Sequence, residues 1–570
     1  MQYTVHDPWI PEREATVCMW KPDYNRGYIS NMNTSLLIDV VNFSRRQLRE
    51  YVLMLKACGF TGIQMTDICA AWRASGSWER VHDCFKGMAD AAHENGMKVT
   101  LWVWAAEFSG HGWHDSDAAY RAAGGTGAYD DPKVFAFFNK YYDIYADMAP
   151  YCDRVVAHFY DPGQLEKFED IVSFAKLLEQ KFRSRNPDIR MAVDTWGSPQ
   201  NFPQQLADAG LSDWMLMEGS FLPYWKEEGQ RAKFRESVKR AGSELGIWGW
   251  YTAEYEIDQN AGMYVNAKVL KDVYRRIRKQ GDHVMRPSYY SEMDSYHVLN
   301  VFSLYCAGHL LIDPDADEEE LLREIAGLVA GTEDREVLLD ALHLIQDARS
   351  GDRFGTYWWT DADYAFGSKD PFSIRERASS CLTALESVVK KKKCANTIPL
   401  PIEGWQLMKL MLPHMAQIRA YAQFRIDMAQ LEHMYAEGAD KASLTEMLDR
   451  IWEPVPEYNC IVGLWGIPEA RLQANAVKEF CKKAGIPVPH RGLRDYTIRK
   501  RIYELICVIQ RGQSEPVYLP PLFYEGDIPF GAEETERIIS GMVSDGLLLR
   551  REDGCVCVRD WEMFRYDFNI

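Results

Sequence analysis

The sequence predicts an α/β protein: a (β/α)8 barrel of the TIM type, then an all-helical domain, then a small winged-helix-like α+β domain. Three observations carry this. Over roughly the first 300 residues, short apolar runs alternate eight times with amphipathic helical stretches, and eight βα units close a parallel sheet into a barrel. From about Asp315 helical periodicity continues with no strand between the helices. After residue 485 two helical stretches are followed by a hairpin pattern.

The units run in order. "ATVCMW" (Ala15–Trp20) precedes a helix over Ser44–Cys58, and "GIQMTD" (Gly62–Asp67) one over Trp78–Asn95. "KVTLWVWAAE" (Lys98–Glu107) leads to Pro132–Met148, and "RVVAHFYD" (Arg154–Asp161) to Lys167–Arg183. "IRMAVDTW" (Ile189–Trp196) precedes a short helix at Phe202–Ala209, and "DWMLMEGS" (Asp213–Ser220) one at Gln230–Leu245. "GIWGWYTAE" (Gly246–Glu254) leads to Val265–Lys279, and "HVMRPSYYSE" (His283–Glu292) to Ser295–Ala307. A doubly wound open sheet would bring a Gly-rich nucleotide loop after its first strand, and Trp20-Lys21-Pro22-Asp23 is not one. The barrel is therefore expected over 1–314 and the helical domain over 315–485. Lys390–Lys393 reads as the solvated last turn of a helix, complementing its dipole.

Residues 486–570 form the third expected domain, with a reverse turn at Asp553-Gly554 joining two apolar stretches. Such a module commonly touches DNA. Here the helix that would enter the groove, Glu533–Val543, is acidic and holds Arg537 as its one base. A packing or oligomerisation role is the expectation, and a homo-oligomer fits it.

Composition narrows the partners. A net charge of −18 opposes nonspecific contact with nucleic acid or an anionic membrane surface. No apolar tract reaches the length of a membrane span. No secretory leader is visible at the N-terminus, and the 13 cysteines contain no C-x-x-C pair, so reduced thiols in a cytoplasm are expected. Aromatics make up 13%, with 18 Trp and 30 Tyr. Large cores account for many of them. A cleft that stacks the C–H faces of a sugar would account for others.

The chemistry concentrates at strand ends. In a (β/α)8 barrel the C-terminal ends of the strands converge on one mouth. Asp67, Glu107, Asp161, Asp194, Glu218, Glu254 and Glu292 end the second to eighth runs. Each has an ordinary alternative: Asp194 could cap the next turn, Asp67 could bond its own loop, and Glu254 and Glu292 could be solvated. Asp161 and Glu218 end the most apolar runs, where a carboxylate is costly unless paired or protonated. Two carboxyls facing one cleft in different environments are what glycosidic cleavage needs, one as acid and one as base or nucleophile. Asp161 is the expected general acid, with Glu218 or Asp194 as its counterpart. Expected substrate contacts are Asp67, Trp104, Glu107, His111, His158, Tyr160, Trp196, Trp250, Tyr251, Glu254, Arg286 and Tyr289, with Arg286 suited to an acidic sugar. "HGWHD" pairs His111 and His114 beside Asp115, but without a third ligand group no metal site and no cofactor are expected.

The stretch Ser295–Gly327, with Asn300, Asp313-Pro314 and Glu319-Glu320-Leu321-Leu322, resembles the junction between barrel and helical domain in bacterial α-glucuronidases and related, hexosaminidase-like barrel glycosidases. The resemblance is specific over this short stretch and architectural over about residues 15–450. It implies a barrel glycosidase with its general acid at the end of the fourth strand, where Asp161 stands, and further carboxylates from later strands, where Asp194 and Glu218 stand. Two departures matter. Those relatives usually carry an α/β domain before the barrel, and Pro162 stands where retaining hexosaminidases show an acidic pair. The sequence thus points to a glycoside hydrolase acting on an oligosaccharide or small glycoside. Its rivals are a metal-dependent sugar isomerase, epimerase or lyase, and a non-enzymatic sugar-binding regulator.

Overall fold

The structure is a computed structural model of the 570-residue chain. It describes residues 7–18, 43–66, 78–105, 129–159, 167–195, 198–219, 229–249, 263, 265–293, 298–349, 370–393, 396–451, 468–488, 499, 502–503, 506, 515–520, 532–559 and 561.

Eight parallel strands close a barrel in sequence order: β1 (Glu12–Cys18), β2 (Gly62–Thr66), β3 (Lys98–Trp104), β4 (Arg154–His158), β5 (Arg190–Asp194), β6 (Met215–Gly219), β7 (Leu245–Gly249) and β8 (Tyr289–Met293). The ring closes where β1 pairs with β8, Glu12 opposite Tyr289 and Thr16 opposite Met293. A helix follows each strand: α1 (Arg45–Ala57), α2 (Trp78–Glu94), α3 (Pro132–Ala146), α4 (Phe168–Arg183), α5 (Phe202–Asp208), α6 (Gln230–Ala241), α7 (Ala267–Gly281) and α8 (Val301–Ile312). Local chemistry sets several starts. Ser44 and Gln47 form a reciprocal capping box on α1, and Asp131 caps α3 ahead of Pro132.

The strands are short because both faces are buried. Side chains fill the barrel inside and meet the helix layer outside, so apolar residues run on continuously. β2, β4, β6 and β7 are buried at every position. The segment before β1 is tied to the end of α8, with Trp9 and Ile10 donating to Ile312 and Leu311. Gly308 of α8 lies against the C-terminal end of α1, where a Cβ would stand 1.9 Å from the Cys58 carbonyl oxygen. Only glycine allows that approach.

Beyond the barrel come α9 (Glu318–Arg349), α10 (Pro371–Lys390), α11 (Gly404–Ala436), α12 (Lys441–Ile451) and α13 (Pro468–Ala484), with no strand between them among the described residues. Gly331, at φ 77°, breaks the helical geometry inside α9. Lys271 of α7 pairs with Glu318, and Arg275 and Arg278 with Asp315, tying the barrel to the start of α9. Near the C-terminus α14 (Ala532–Ser544) is followed by the antiparallel pair β9 (Leu548–Arg550) and β10 (Val556–Val558), with Leu519 bridging to Val556. The bases here are engaged: Arg550 pairs with Glu536, and Arg537 lies 3.9 Å from Glu534. Among the described residues no helix is long and apolar enough to cross a membrane.

Candidate active site at the C-terminal end of the barrel

Register decides which side chains face inward. Thr100 lies opposite Arg154, Trp102 opposite Val156 and Trp104 opposite His158. Asp194 lies opposite Met217, and Trp248 opposite Ser291. Residues paired across parallel strands point to the same side, so Trp102, Trp104, His158, Asp194 and Trp248 share the inner face. All five stand in the C-terminal halves of their strands.

The ends of these strands are pinned from outside. On α3, Tyr141 donates to the Trp104 carbonyl at 3.2 Å and Tyr142 to that of Ala105. Ala105 continues the ladder by donating to His158 O at 2.8 Å. After Asp194, Thr195 bonds Met217 O through both its backbone N–H and its hydroxyl, and Ser198 bonds Thr195 O. The inward side chains are therefore carried on fixed backbone.

His158 Nδ1 and Asp194 Oδ2 are 2.6 Å apart, with the two residues 2% and 0% exposed. Three indoles wall the pair. Trp104 meets the imidazole edge-on with ring centroids 4.7 Å apart, Trp102 lies at 5.3 Å from it, and Trp248 packs against Trp102 at 4.5 Å with the rings tilted by 31°. Two buried nitrogens here, His158 Nε2 and Trp102 Nε1, have no hydrogen-bond partner among the described residues.

A second polar group fills the inner face at the N-terminal end. Glu14 accepts from Tyr289 Oη at 2.7 Å and Thr100 Oγ1 at 3.0 Å, and faces Arg154 Nη1 at 3.5 Å. Gln64 donates to Tyr289 and accepts from Thr16. Arg154 also pairs with Glu12 at 2.5 Å and lies over the Tyr289 ring. Burial raises the Glu14 carboxyl to about 7, against the lowering pull of Arg154 and its two hydroxyl donors.

Three expected site residues are corrected. Glu218 does not open into the barrel. It alternates with the inward Met215 and Met217, and its carboxylate is held by Arg231 and, at 2.8 Å, by Arg235, both on α6 and both fully buried. It is held between β6 and the helix layer, away from the inner face where a base or nucleophile is expected. Arg286 precedes β8, at the end of the barrel opposite the mouth, and its guanidinium bonds Asp7, Pro8 O and Trp9 O. It clamps the N-terminal segment. Tyr289 opens β8 inside the polar floor, away from the mouth. Glu292 likewise turns outward, accepting from Tyr274 of α7 at 2.7 Å.

Of the other expected residues, Trp104, His158 and Asp194 are brought together on the inner face. Asp67, Glu107, His111, Tyr160, Asp161, Trp196, Trp250, Tyr251 and Glu254 lie outside the described residues, as do His114 and Asp115. Among the described residues no three His, Cys, Asp or Glu side chains group as metal ligands would. Sequence reasoning misses the contact between His158 and Asp194, although both stand at inward positions of neighbouring strands, and it misses Glu14 entirely.

No family model and no curated protein matches the chain. Among solved structures, it is similar to a GH138 enzyme targeting pectin rhamnogalacturonan II, at 10% identity over 90% of this chain and 70% of that one, with TM-score 0.48. It is similar to a family GH115 4-O-methyl-α-glucuronidase with specificity for decorated arabinogalactans, at 11% identity over 82% of this chain and 61% of that one, TM-score 0.45. A family 89 glycoside hydrolase from Clostridium perfringens follows at 10% identity over 78% of this chain and 53% of that one, TM-score 0.44. The chain thus spans less than two thirds of the second and third of these proteins.

Proposed function

We propose that the chain is a glycoside hydrolase, cleaving an oligosaccharide or small glycoside at the C-terminal mouth of the barrel. The observation that carries this reading is the inward group at the ends of β3, β4, β5 and β7: one carboxylate, one imidazole and three indoles. A sugar offers apolar C–H faces and hydroxyls, and this group offers stacking surfaces beside hydrogen-bonding nitrogens. Cleavage builds positive charge on the sugar ring, which a fixed carboxylate stabilises.

In this reading residues 1–314 are the catalytic unit, and Asp161, three residues past the end of β4, is the general acid that protonates the leaving oxygen. Asp194 is the second carboxylate, acting as base or nucleophile. Its hydrogen bond with His158 holds it in one orientation.

The test is hydrolysis of a panel of aryl glycosides by the intact protein, by Asp161→Asn and by Asp194→Asn, with circular dichroism as the folding control. Each variant is expected to lose ~10²–10⁴-fold in kcat/KM on the substrate the panel selects. Full activity in both variants would move the chemistry elsewhere. Failure of the intact protein on every glycoside would end the glycosidase reading and turn attention to metal-dependent sugar chemistry, tested by metal analysis.

A further inference from the structure

We propose that His158 and Trp102 together bind a single hydroxyl group of a sugar ring, and that Asp194 sets the histidine tautomer that makes this binding possible. The inference rests on the glycosidase reading only for the identity of the ligand. Its basis is the pair of buried nitrogens without partners, on residues 2% and 1% exposed, on the inner faces of adjacent strands.

The two nitrogens are of opposite kind. An ionised carboxylate only accepts, so the 2.6 Å contact makes His158 Nδ1 the donor towards Asp194. In the neutral ring Nε2 then carries the lone pair and needs a donor. Indole Nε1 has no lone pair to offer and only donates, so Trp102 needs an acceptor. Buried polar groups are mostly satisfied, and other open atoms occur in this structure, Arg154 Nε and Trp214 Nε1 among them. What sets this place apart is an open acceptor and an open donor on rings whose centroids lie 5.3 Å apart, a pair that one ligand group can complete.

The chemistry of that ligand follows. A carboxylate or phosphate would satisfy Trp102 and leave Nε2 facing a second acceptor. An ammonium would do the reverse. A hydroxyl donates its proton to Nε2 and accepts from Nε1, so it satisfies both. Trp104, edge-on to the imidazole, and Trp248, packed against Trp102, hold the two rings in this relation. Asp194 contributes here as a positioning residue in addition to the catalytic part proposed for it above.

Two measurements on the full chain test this. In the first, the protein is labelled with ¹⁵N-histidine and His158 is assigned by its loss in His158→Asn. Two-bond ¹H–¹⁵N spectra are expected to show Nδ1 protonated and Nε2 bare. Glucose, galactose, mannose and N-acetylglucosamine are then added singly. The Nε2 signal is expected to move with at least one of them, and not with the deoxy analogue that lacks the bound hydroxyl. In the second, kcat/KM is measured for the best aryl glycoside and its monodeoxy analogues. The intact enzyme is expected to reject one analogue by up to ~10⁴-fold. Trp102→Phe should erase most of that preference. His158→Asn, which keeps a donor for Asp194 and deletes Nε2, should do the same. A hydrolase whose deoxy preferences survive both substitutions overturns the inference and leaves the glycosidase reading standing. If no glycoside is cleaved, the spectra decide alone. An Nε2 signal that no sugar moves, as a sealed nitrogen or one bound to a trapped water would give, also overturns it. Trp102→Phe keeps an aromatic ring in the wall, so the kinetic arm survives if His158→Asn does not fold.

Discussion

At the floor of the barrel Glu14 is enclosed by a phenol, a threonine hydroxyl and the Arg154 guanidinium, and Arg154 is in turn held by Glu12. At the mouth His158 and Asp194 share one hydrogen bond, and beyond it the imidazole and the neighbouring indole each keep a nitrogen without a partner. Both groups are buried on the same inner face. The Glu14 carboxyl is fully engaged within the protein, although Arg154 Nε has no partner among the described residues; at the mouth an open donor and an open acceptor stand on neighbouring rings. Burial of charge therefore does not by itself mark a working site; an open donor beside an open acceptor on one inner face is the stronger sign. A carboxyl enclosed by donors holds strands together, and a complementary open pair fits the hydroxyl of a ligand.

The largest effect that would break this contrast belongs to the floor. Arg154→Met removes the cation facing Glu14 and strips one partner from Glu12. Breaking a buried pair from one side costs about 3–5 kcal/mol, an upper bound here because Glu14 can hold a proton and Glu12 is partly exposed. The expected outcome is a clear drop in apparent Tm. A variant that melts with the intact protein would show that the floor is not the structural element described here.

The second effect sharpens the contrast through pH. Burial raises the Glu14 carboxyl from 4.5 to about 7, so the folded protein keeps a proton there that the unfolded chain has already released. A raised acid gives stability that is fully present below the unfolded value and is lost as pH rises through the folded one. Between about pH 5 and pH 8 the intact protein should lose more apparent Tm than Glu14→Gln, whose amide does not titrate. Parallel curves for the two proteins would remove Glu14 from the account. The order matters, because this substitution keeps the side-chain volume and its effect is smaller than that of losing Arg154.

The same contrast explains what can be read from the sequence. The eight βα units, and most helix limits to within a few residues, are legible because apolar runs alternate with amphipathic helices. The strand limits fail at two places. β1 begins at Glu12, ahead of the apolar run that starts at Ala15, because Glu12 and Glu14 belong to the polar floor and look like surface residues in a linear sequence. β8 begins at Tyr289, after Pro287, so Arg286 falls outside the strand. The acids at strand ends are legible, but the side of the wall that each faces is not. In a barrel both faces of a strand are buried, so apolar periodicity carries no mark of inside and outside. Glu218 and Asp194 end comparable apolar runs. One faces α6 and its two arginines, the other the interior and His158. Only the register separates them.

The smallest expected effect concerns Arg286, because it tests whether the two ends of the barrel are functionally separate. Its guanidinium is spent on Asp7, Pro8 O and Trp9 O, at the end remote from Trp104 and His158. Asp7 is largely exposed, and the Arg286 partner keeps its carboxyl below the usual carboxylate range through an accessible contact that salt would screen. Arg286→Gln should therefore leave the ratio of kcat/KM for an aryl glucuronide and an aryl glucoside unchanged to within about twofold, the span of an ordinary surface substitution. It should lower the apparent Tm slightly by loosening the segment before β1, and less so in high salt. A selective loss of the acidic substrate would mean that Arg286 reaches a bound sugar. That would require the substrate to enter from the end where Arg154, Arg190 and Arg286 are already paired with Glu12, Glu244 and Asp7, and the distinction between floor and mouth would fail.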